Sequence, residues 1–213
     1  MHMHTIDDLR PAHRAAVLAT IPIVAAVGAE DLHRPTPCAG WDLTDLLAHM
    51  TAQHRGFAAA ARGNGADPAI WDTTTVRDAV TRAPGDTYAS AAHDVLEAFT
   101  NPDAAHIPFA LPEFGPGAEF PGAVAIGFHL IDYVVHGWDV AATLGRDYRL
   151  PADVVGAALP LALMVPDGDY RSTPAAPFGP AIAGPATGDL AQLLRHLGRN
   201  PAIAQENSTV TGA

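Results

Sequence analysis

The sequence contains no lysine and only one cysteine. All 12 basic residues are arginine, so catalysis through a lysine Schiff base is excluded. The single cysteine, Cys38, has no partner for an intrachain disulfide, which fits a reducing compartment.

Long apolar runs and positive charge are also scarce. No stretch reaches the roughly 20 uninterrupted apolar residues that a membrane span needs. The start of the sequence, "MHMHTIDDLRPAHR", lacks the basic and then apolar segments of a signal peptide. The formal net charge of −11 would repel a phosphate backbone. We expect a cytoplasmic protein that binds neither nucleic acid nor membranes.

The apolar pattern predicts a mostly α-helical chain. Hydrophobic residues make up 48% of the 213 residues, enough to bury a core, and many recur at helical spacing between Pro- and Gly-rich breaks. An antiparallel helix bundle is the natural architecture for such a pattern. We expect one domain over residues 1–213, with a core over 5–145 and residues 146–201 packing on it. The predicted helices cover 5–29, 42–63, 74–99 with a break at "APGD", 122–144, 152–164 and 189–198, and residues 100–122 are predicted to form short extended pieces or a hairpin.

Three polar side chains interrupt the apolar run of the fourth of these helices. In "HLIDYVVHGWD", His129, Asp132 and His136 fall within a wedge of roughly 60° at 3.6 residues per turn. The rest of the helix is apolar nearly all round, which is typical of a buried helix. A buried carboxylate needs partners, so the wedge is either a hydrogen-bonded polar seam or a site for a divalent metal.

A metal would need a third ligand from a facing helix. His49 lies at the edge of the apolar stripe of the second helix, where a neighbour would meet it. His54 and His93 are the next candidates. The remaining histidines are expected near termini, in loops or on surface faces, and they are His2, His4, His13, His33, His106 and His196.

Four stretches together resemble the DinB-like superfamily. They are "TPCAGWDLTDLLAHM", "DYVVHGWDVAATLG", "FGPAI" and "LLRHLGRNP", and they are most similar to the actinobacterial branch grouped with mycothiol-dependent maleylpyruvate isomerase. The resemblance covers about residues 5 to 201. It implies an all-α four-helix bundle with up-down-down-up topology, a loop-rich insert and a short C-terminal extension.

The resemblance also implies a divalent metal and a thiol cofactor. The metal, zinc in the isomerase, with nickel or another ion as alternatives, would be held by His49, Asp132 and His136, and the thiol would be mycothiol or a similar small thiol. Two positions depart from the branch, which usually has glutamate in place of Asp132 and a small residue in place of His129.

Three functions follow as hypotheses. The first is a metal-dependent thiol transferase or isomerase acting on a small electrophilic metabolite, with His129 as the catalytic group that moves a proton. The second is a metal-free acid–base lyase, cyclase or isomerase of secondary metabolism that uses the His129–Asp132–His136 seam. The third is a non-catalytic small-molecule-binding stress protein. The expected partner is a small-molecule substrate, and a homodimer is possible.

Several other residues have two interpretations each. Cys38 either packs or forms a mixed disulfide with the thiol. Trp41 and Trp138 either pack or line a pocket, and Asp139 either stabilises the local backbone or supports a ligand from behind. Three arginines in predicted loops are candidates for binding a substrate carboxylate, namely Arg146, Arg149 and Arg171.

Overall fold

The computed structural model describes residues 8–173 and 176–202, and it is mainly α-helical. His2, His4 and the predicted start of the first helix at residue 5 lie outside the described residues. Within them, the helices are α1 (Arg10–Val24), α2 (Leu43–Ala61), α3 (Thr74–Arg82), α4 (Pro84–Ala98), α5 (Gly122–Thr143), α6 (Ala152–Met164) and α7 (Asp189–His196). Two short strands, β1 (Pro108–Ala110) and β2 (Glu119–Pro121), pair antiparallel between α4 and α5. The predicted all-α class is confirmed.

Local sequence signals explain where the long helices begin and end. Asp42 caps α2, since its carboxylate accepts from the Asp45 backbone N–H while the Asp45 carboxylate accepts from that of Asp42. Pro84 separates α3 from α4, because proline has no N–H to continue the α3 ladder but fits the first turn of a new helix. Gly145 follows α5 with a φ of 65°, the left-handed conformation that commonly ends a helix.

Four helices, α1, α2, α4 and α5, form the bundle. Side chains at matching heights show that α1 runs antiparallel to α4 and parallel to α5, and that α2 runs antiparallel to α5. The directions of α1, α2, α4 and α5 are therefore up, down, down and up, as the resemblance implied. The contacts that give these directions are His13–Phe99 and Thr20–Tyr88 for α1 and α4, His13–His129 and Thr20–Gly137 for α1 and α5, and His49–His136 and His54–His129 for α2 and α5.

The remaining elements pack outside this bundle. Helices α6 and α7 bury an apolar cluster against α1 and α5 that includes Leu130, Val134 and Leu193. The β1–β2 hairpin buries Phe109 against the lower end of α2 and α5. No helix in residues 8–173 or 176–202 is long and apolar enough to cross a membrane. The site described next lies where α2 faces α5.

Candidate metal centre

Three of the predicted ligands converge between α2 and α5. Asp132 and His136 are one turn apart on α5, and Asp132 Oδ1 lies 3.2 Å from His136 Nε2. His49 reaches them from α2, with its Nε2 3.9 Å from Asp132 Oδ2. One ligand atom from each of the three residues lies within 4.8 Å of the others. The structure thus brings His49, Asp132 and His136 together, as the sequence predicted.

This cluster is closed on the His136 side and open on the other. The His136 side chain is 3% exposed, whereas those of His49 and Asp132 are 21% and 23% exposed. The Trp41 ring packs 4.9 Å from the His49 ring and 6.4 Å from the His136 ring, measured between centroids. Trp41 therefore forms a wall of the cluster, and a small molecule would reach the cluster past His49 and Asp132.

A second carboxylate fixes the orientation of His136. His136 Nδ1 lies 2.9 Å from Asp139 Oδ2, which leaves Nε2 directed at Asp132 and His49. Arg199 Nη2 in turn donates to Asp139 Oδ2 at 2.9 Å, and Asp139 is fully buried. A carboxylate behind a histidine ligand holds the ring and its tautomer in place. The supporting role considered for Asp139 is the one its position favours.

Sequence reasoning missed Arg199. This residue follows α7 in the chain, 60 residues after Asp139, and only the tertiary packing of α7 brings the two together. The one available signal was its place in "LLRHLGRNP", the last of the four stretches that carry the family resemblance.

The charges around the cluster set the protonation of its histidines. Burial lowers the pKa of His49 to about 4, although Asp132 opposes this, so His49 is neutral and its lone pair is available. Burial alone would also lower the pKa of His136, but the carboxylates of Asp132 and Asp139 outweigh it and raise the pKa to about 10. Without a metal, His136 carries a proton on Nε2 between carboxylates, at the place where a cation would be stabilised.

The donor set fits a divalent metal. Two imidazole nitrogens and one carboxylate oxygen are common zinc ligands, and ligand atoms sharing one tetrahedral zinc lie roughly 3.3 Å apart. The 3.2 and 3.9 Å separations around Asp132 are close to this value. Three protein ligands leave a coordination position for another molecule, as in catalytic sites.

Cys38 lies behind the cluster. Its Sγ accepts a hydrogen bond from Arg199 Nη2 at 3.3 Å, and it lies within 4.8 Å of ligand atoms of His136 and Asp139. Burial raises the pKa of the Cys38 thiol, although the positive charges of His136 and Arg199 oppose this. Both interpretations of Cys38, packing and a mixed disulfide, stay predictions.

His129 does not join the other two residues of the wedge. Its Nδ1 lies 2.7 Å from His13 Nε2, and its Nε2 lies 3.3 Å from His54 Nδ1. Both ring nitrogens are therefore engaged by imidazoles from α1 and α2. The expectation that His13 lies on the surface is wrong, because His13 is 1% exposed. The catalytic role of His129 stays a prediction.

The other candidate residues lie away from the cluster. His54 is buried beside His129, and His93 is exposed on α4. Arg171 is buried and donates to backbone carbonyls of residues that include Pro166 and Val165, which commits it to holding the C-terminal loop. Arg146 and Arg149 are exposed. Trp138 packs with Ala142 and Leu194, as the packing interpretation predicted.

A carboxyl from the hairpin lies near the cluster and was also missed. Glu113 Oε2 accepts from Gln53 Nε2 at 2.8 Å, and Gln53 lies one turn after His49 on α2. Partial burial raises the pKa of the Glu113 carboxyl; the hydrogen bond from Gln53 opposes this, and the negative charge of Asp132 adds to it. Glu113 lies in a Pro- and Gly-rich stretch whose fold cannot be predicted from local sequence. Its contact with α2 was therefore not predicted.

Comparison with known proteins identifies the family of this chain. Residues 13–141 match the family model for the mycothiol maleylpyruvate isomerase N-terminal domain. Two proteins of Mycobacterium tuberculosis, from strains CDC 1551 and H37Rv, are each 30% identical over 167 residues, covering 78% of this chain and 84% of theirs; both are described as uncharacterized. No solved structure matches. The matched segment spans α1 to α5 and carries His49, Asp132 and His136, and the chain therefore belongs to the mycothiol maleylpyruvate isomerase N-terminal domain family.

Proposed function

We propose that this protein is a divalent-metal-dependent enzyme that uses a low-molecular-weight thiol, such as mycothiol. The thiol is either transferred to a small electrophilic metabolite or used to isomerise it. The observation that carries the proposal is the convergence of His49 Nε2, the Asp132 carboxylate and His136 Nε2, with His136 fixed from behind by Asp139. Family membership supports the thiol, and the donor set supports zinc or a similar ion.

The charge balance of the cluster suits a thiolate. A bound divalent ion supplies a positive charge that deprotonates a coordinating thiol. Arg199 neutralises Asp139, so Asp132 is the one carboxylate left to offset a dication, and a thiolate would bring the second negative charge. A second ionised carboxylate among the ligands would balance the remaining charge of the dication and so compete with the thiolate. The ligand beside Asp132 is instead His49, which is neutral.

The chain's own groups also provide an entrance and a proton donor. The exposed edges of His49 and Asp132 and the wall formed by Trp41 define where the thiol and the electrophile meet. In this proposal the Glu113 carboxyl, held in place by its hydrogen bond from Gln53, passes a proton to the substrate. A positioned acid of this kind contributes about 100-fold or more to a rate.

The metal-free alternative has less support. It requires His129, Asp132 and His136 to act as one hydrogen-bonded seam, but the nitrogens of His129 are engaged by His13 and His54. Only the Asp132–His136 pair of that seam is in contact.

Cobalt substitution tests the proposal directly. Protein loaded with Co²⁺ is titrated with mycothiol, and a near-ultraviolet sulfur-to-cobalt charge-transfer band is expected to appear and saturate. His49→Ala is expected to abolish the band, while His93→Ala, at an exposed position, keeps it. If the wild-type spectrum does not respond to any low-molecular-weight thiol, and chelators leave turnover unchanged, the proposal is wrong.

A further inference from the structure

Three histidines form a second cluster, separate from the metal centre, which we name the histidine chain. It consists of His13 on α1, His129 on α5 and His54 on α2. The His13–His129 nitrogen separation is 2.7 Å and the His129–His54 separation is 3.3 Å. All three side chains are 1% exposed or less. Three imidazoles therefore lie in a continuous hydrogen-bonded row across the bundle.

Their surroundings keep all three rings neutral. Aromatic side chains pack against the histidine chain. The Tyr133 ring stacks on both His54 and His129, and the rings of Tyr88, Phe57 and Phe99 surround them. Burial lowers the pKa of His13 to about 3 and those of His54 and His129 well below their ordinary values. Burial raises the pKa values of Tyr88 and Tyr133, which stay protonated.

Neutral imidazoles in such a row have only two consistent arrangements. Each ring has one N–H donor and one bare nitrogen acceptor. Because His129 must donate to one neighbour and accept from the other, all three rings carry the proton on Nδ1, or all three carry it on Nε2. Conversion of one arrangement into the other moves one proton from one end of the row to the other without charging any ring for long.

The two ends of the row lie in different environments. His13 lines a pocket of about 320 Å³ at the start of α1, together with Asp8, Arg10 and Arg14. At the other end, His54 Nε2 is buried and has no hydrogen-bond partner among the described residues. His54 follows His49 by five residues on α2, and His129 precedes Asp132 by three on α5. This end of the row therefore lies between the same two helices as the metal centre, about one helical turn away.

We propose that the histidine chain is a proton relay that connects the interior beside the metal centre with the pocket at the start of α1. The proposal rests on the proposed thiol chemistry. Ionisation of the thiol S–H releases one proton, which His54 Nε2 accepts; protons then pass from His54 Nδ1 to His129 and from His129 Nδ1 to His13, and His13 Nδ1 releases one to water. In isomerisation the departing thiolate takes up one proton by the reverse path. In transfer the same proton returns to Glu113, which has given its own to the product, so each cycle restores the starting tautomers.

This relay gives His129 a positioning role in place of direct contact with the substrate. His129 is the middle ring, and it can pass a proton only because both of its nitrogens face other imidazoles. Glutamine in place of His13 tests this, because its amide keeps a hydrogen bond to His129 but cannot pass a proton by exchanging tautomers.

Nitrogen-15 NMR of histidine-labelled, metal-free and thiol-free protein tests the relay. Wild-type protein is expected to show three neutral rings with one shared tautomer and N–H···N couplings from His13 to His129 and from His129 to His54. In His13→Gln, exchange of the His54 and His129 ring protons with water is expected to slow by about 100-fold or more, the low end of what a positioned proton-transfer group contributes. The exposed His93→Gln serves as the matched control and should leave exchange unchanged.

Several outcomes would overturn the relay. They are a ring that is charged at neutral pH, different tautomers among the three rings, or exchange that His13→Gln leaves as fast as in wild type. His13→Phe, which packs against Phe99 but removes the hydrogen bond, provides a second variant, and thermal unfolding confirms that each variant folds. Because no metal or thiol is present, failure here is distinct from failure of the Co²⁺ titration, which tests the proposed function.

Discussion

At the scale of single residues, His136 is the group on which the candidate metal centre depends. Its two nitrogens face two carboxylates, Asp132 and Asp139, and Arg199 neutralises the second of these from the far end of the chain. The buried Asp139–Arg199 pair therefore determines how the His136 ring is held. Loss of Arg199 would leave His136 to balance both Asp132 and the buried Asp139.

Replacement of Arg199 by alanine is expected to lower the free energy of unfolding by about 3–5 kcal/mol, because the buried Asp139 would lose its arginine and keep only its contact with His136, which Asp132 shares. Urea unfolding of metal-free protein measures this. The control is Arg62→Ala, whose ion pair with Asp94 is exposed and whose loss is expected to cost about 1 kcal/mol or less. Equal effects of the two substitutions would contradict the role assigned to Arg199.

The sequence predicted part of this residue-level arrangement. The spacing of Asp132 and His136 placed both on one face of a helix, and His49 was found at the edge of the facing stripe. The direction of His129 was not predictable, because His13 and His54 come from other helices, 116 and 75 residues away. The angular wedge showed only that the three residues share a face of α5.

At the scale of elements, the junction between the hairpin and α5 depends on a close approach of two backbone segments. The Gly122 backbone N–H donates to the Ile107 carbonyl at 2.9 Å. A Cβ on Gly122 would lie 1.9 Å from the Ala104 carbonyl oxygen. Only glycine therefore permits this close approach of two backbone segments.

Substitution of Gly122 by alanine is expected to destabilise the protein by about 1–3 kcal/mol or more, since the new methyl group displaces backbone. Gly156→Ala is the matched control, because Gly156 is exposed on α6 and its added Cβ would meet nothing within 4 Å. That substitution should stabilise by about 0.5–1 kcal/mol through helix propensity. Thermal unfolding of both variants measures these changes. A Gly122→Ala variant as stable as wild type would contradict the described junction.

Element boundaries were more predictable than the contacts between elements. The Asp42 capping box, the break before Pro84 and the end of α5 at Gly145 are local signals, and the structure has each of them. The predicted helix over 74–99 restarts at Pro84 rather than after "APGD", because proline suits the first turn of a helix. The docking of the Pro- and Gly-rich hairpin on α2 depends on tertiary packing that no local pattern encodes.

At the scale of the whole molecule, the up-down-down-up bundle of the described residues encloses both the candidate metal centre and the histidine chain. They impose opposite pH dependences on the free energy of unfolding of the metal-free protein. The pKa of His136 is raised to about 10, so the stability it contributes is complete below pH 6.5 and is lost as the pH rises towards 10. The pKa of His13 is lowered to about 3, so its burial in the neutral form lowers the stability as the pH falls below 6.5.

The free energy of unfolding of metal-free protein is expected to fall as the pH drops from 6.5 towards 3. Over this range the unfolded chain takes up protons at His13, His54 and His129, whereas the folded chain keeps these rings neutral. Each such histidine adds a slope of about 1.4 kcal/mol per pH unit. Urea unfolding at several pH values is expected to show a slope in His13→Phe that is shallower by this amount; an unchanged slope would contradict the burial of a neutral His13.

The central claim is that His49, Asp132 and His136 hold a divalent metal, and metal analysis of protein purified without a metal-affinity resin tests it most directly. Wild type and His93→Ala are expected to contain about one divalent ion per chain, while His49→Ala and Asp132→Ala lose it. Wild-type protein without stoichiometric metal, even after incubation with Zn²⁺, or the same metal content in all four proteins, would contradict the account.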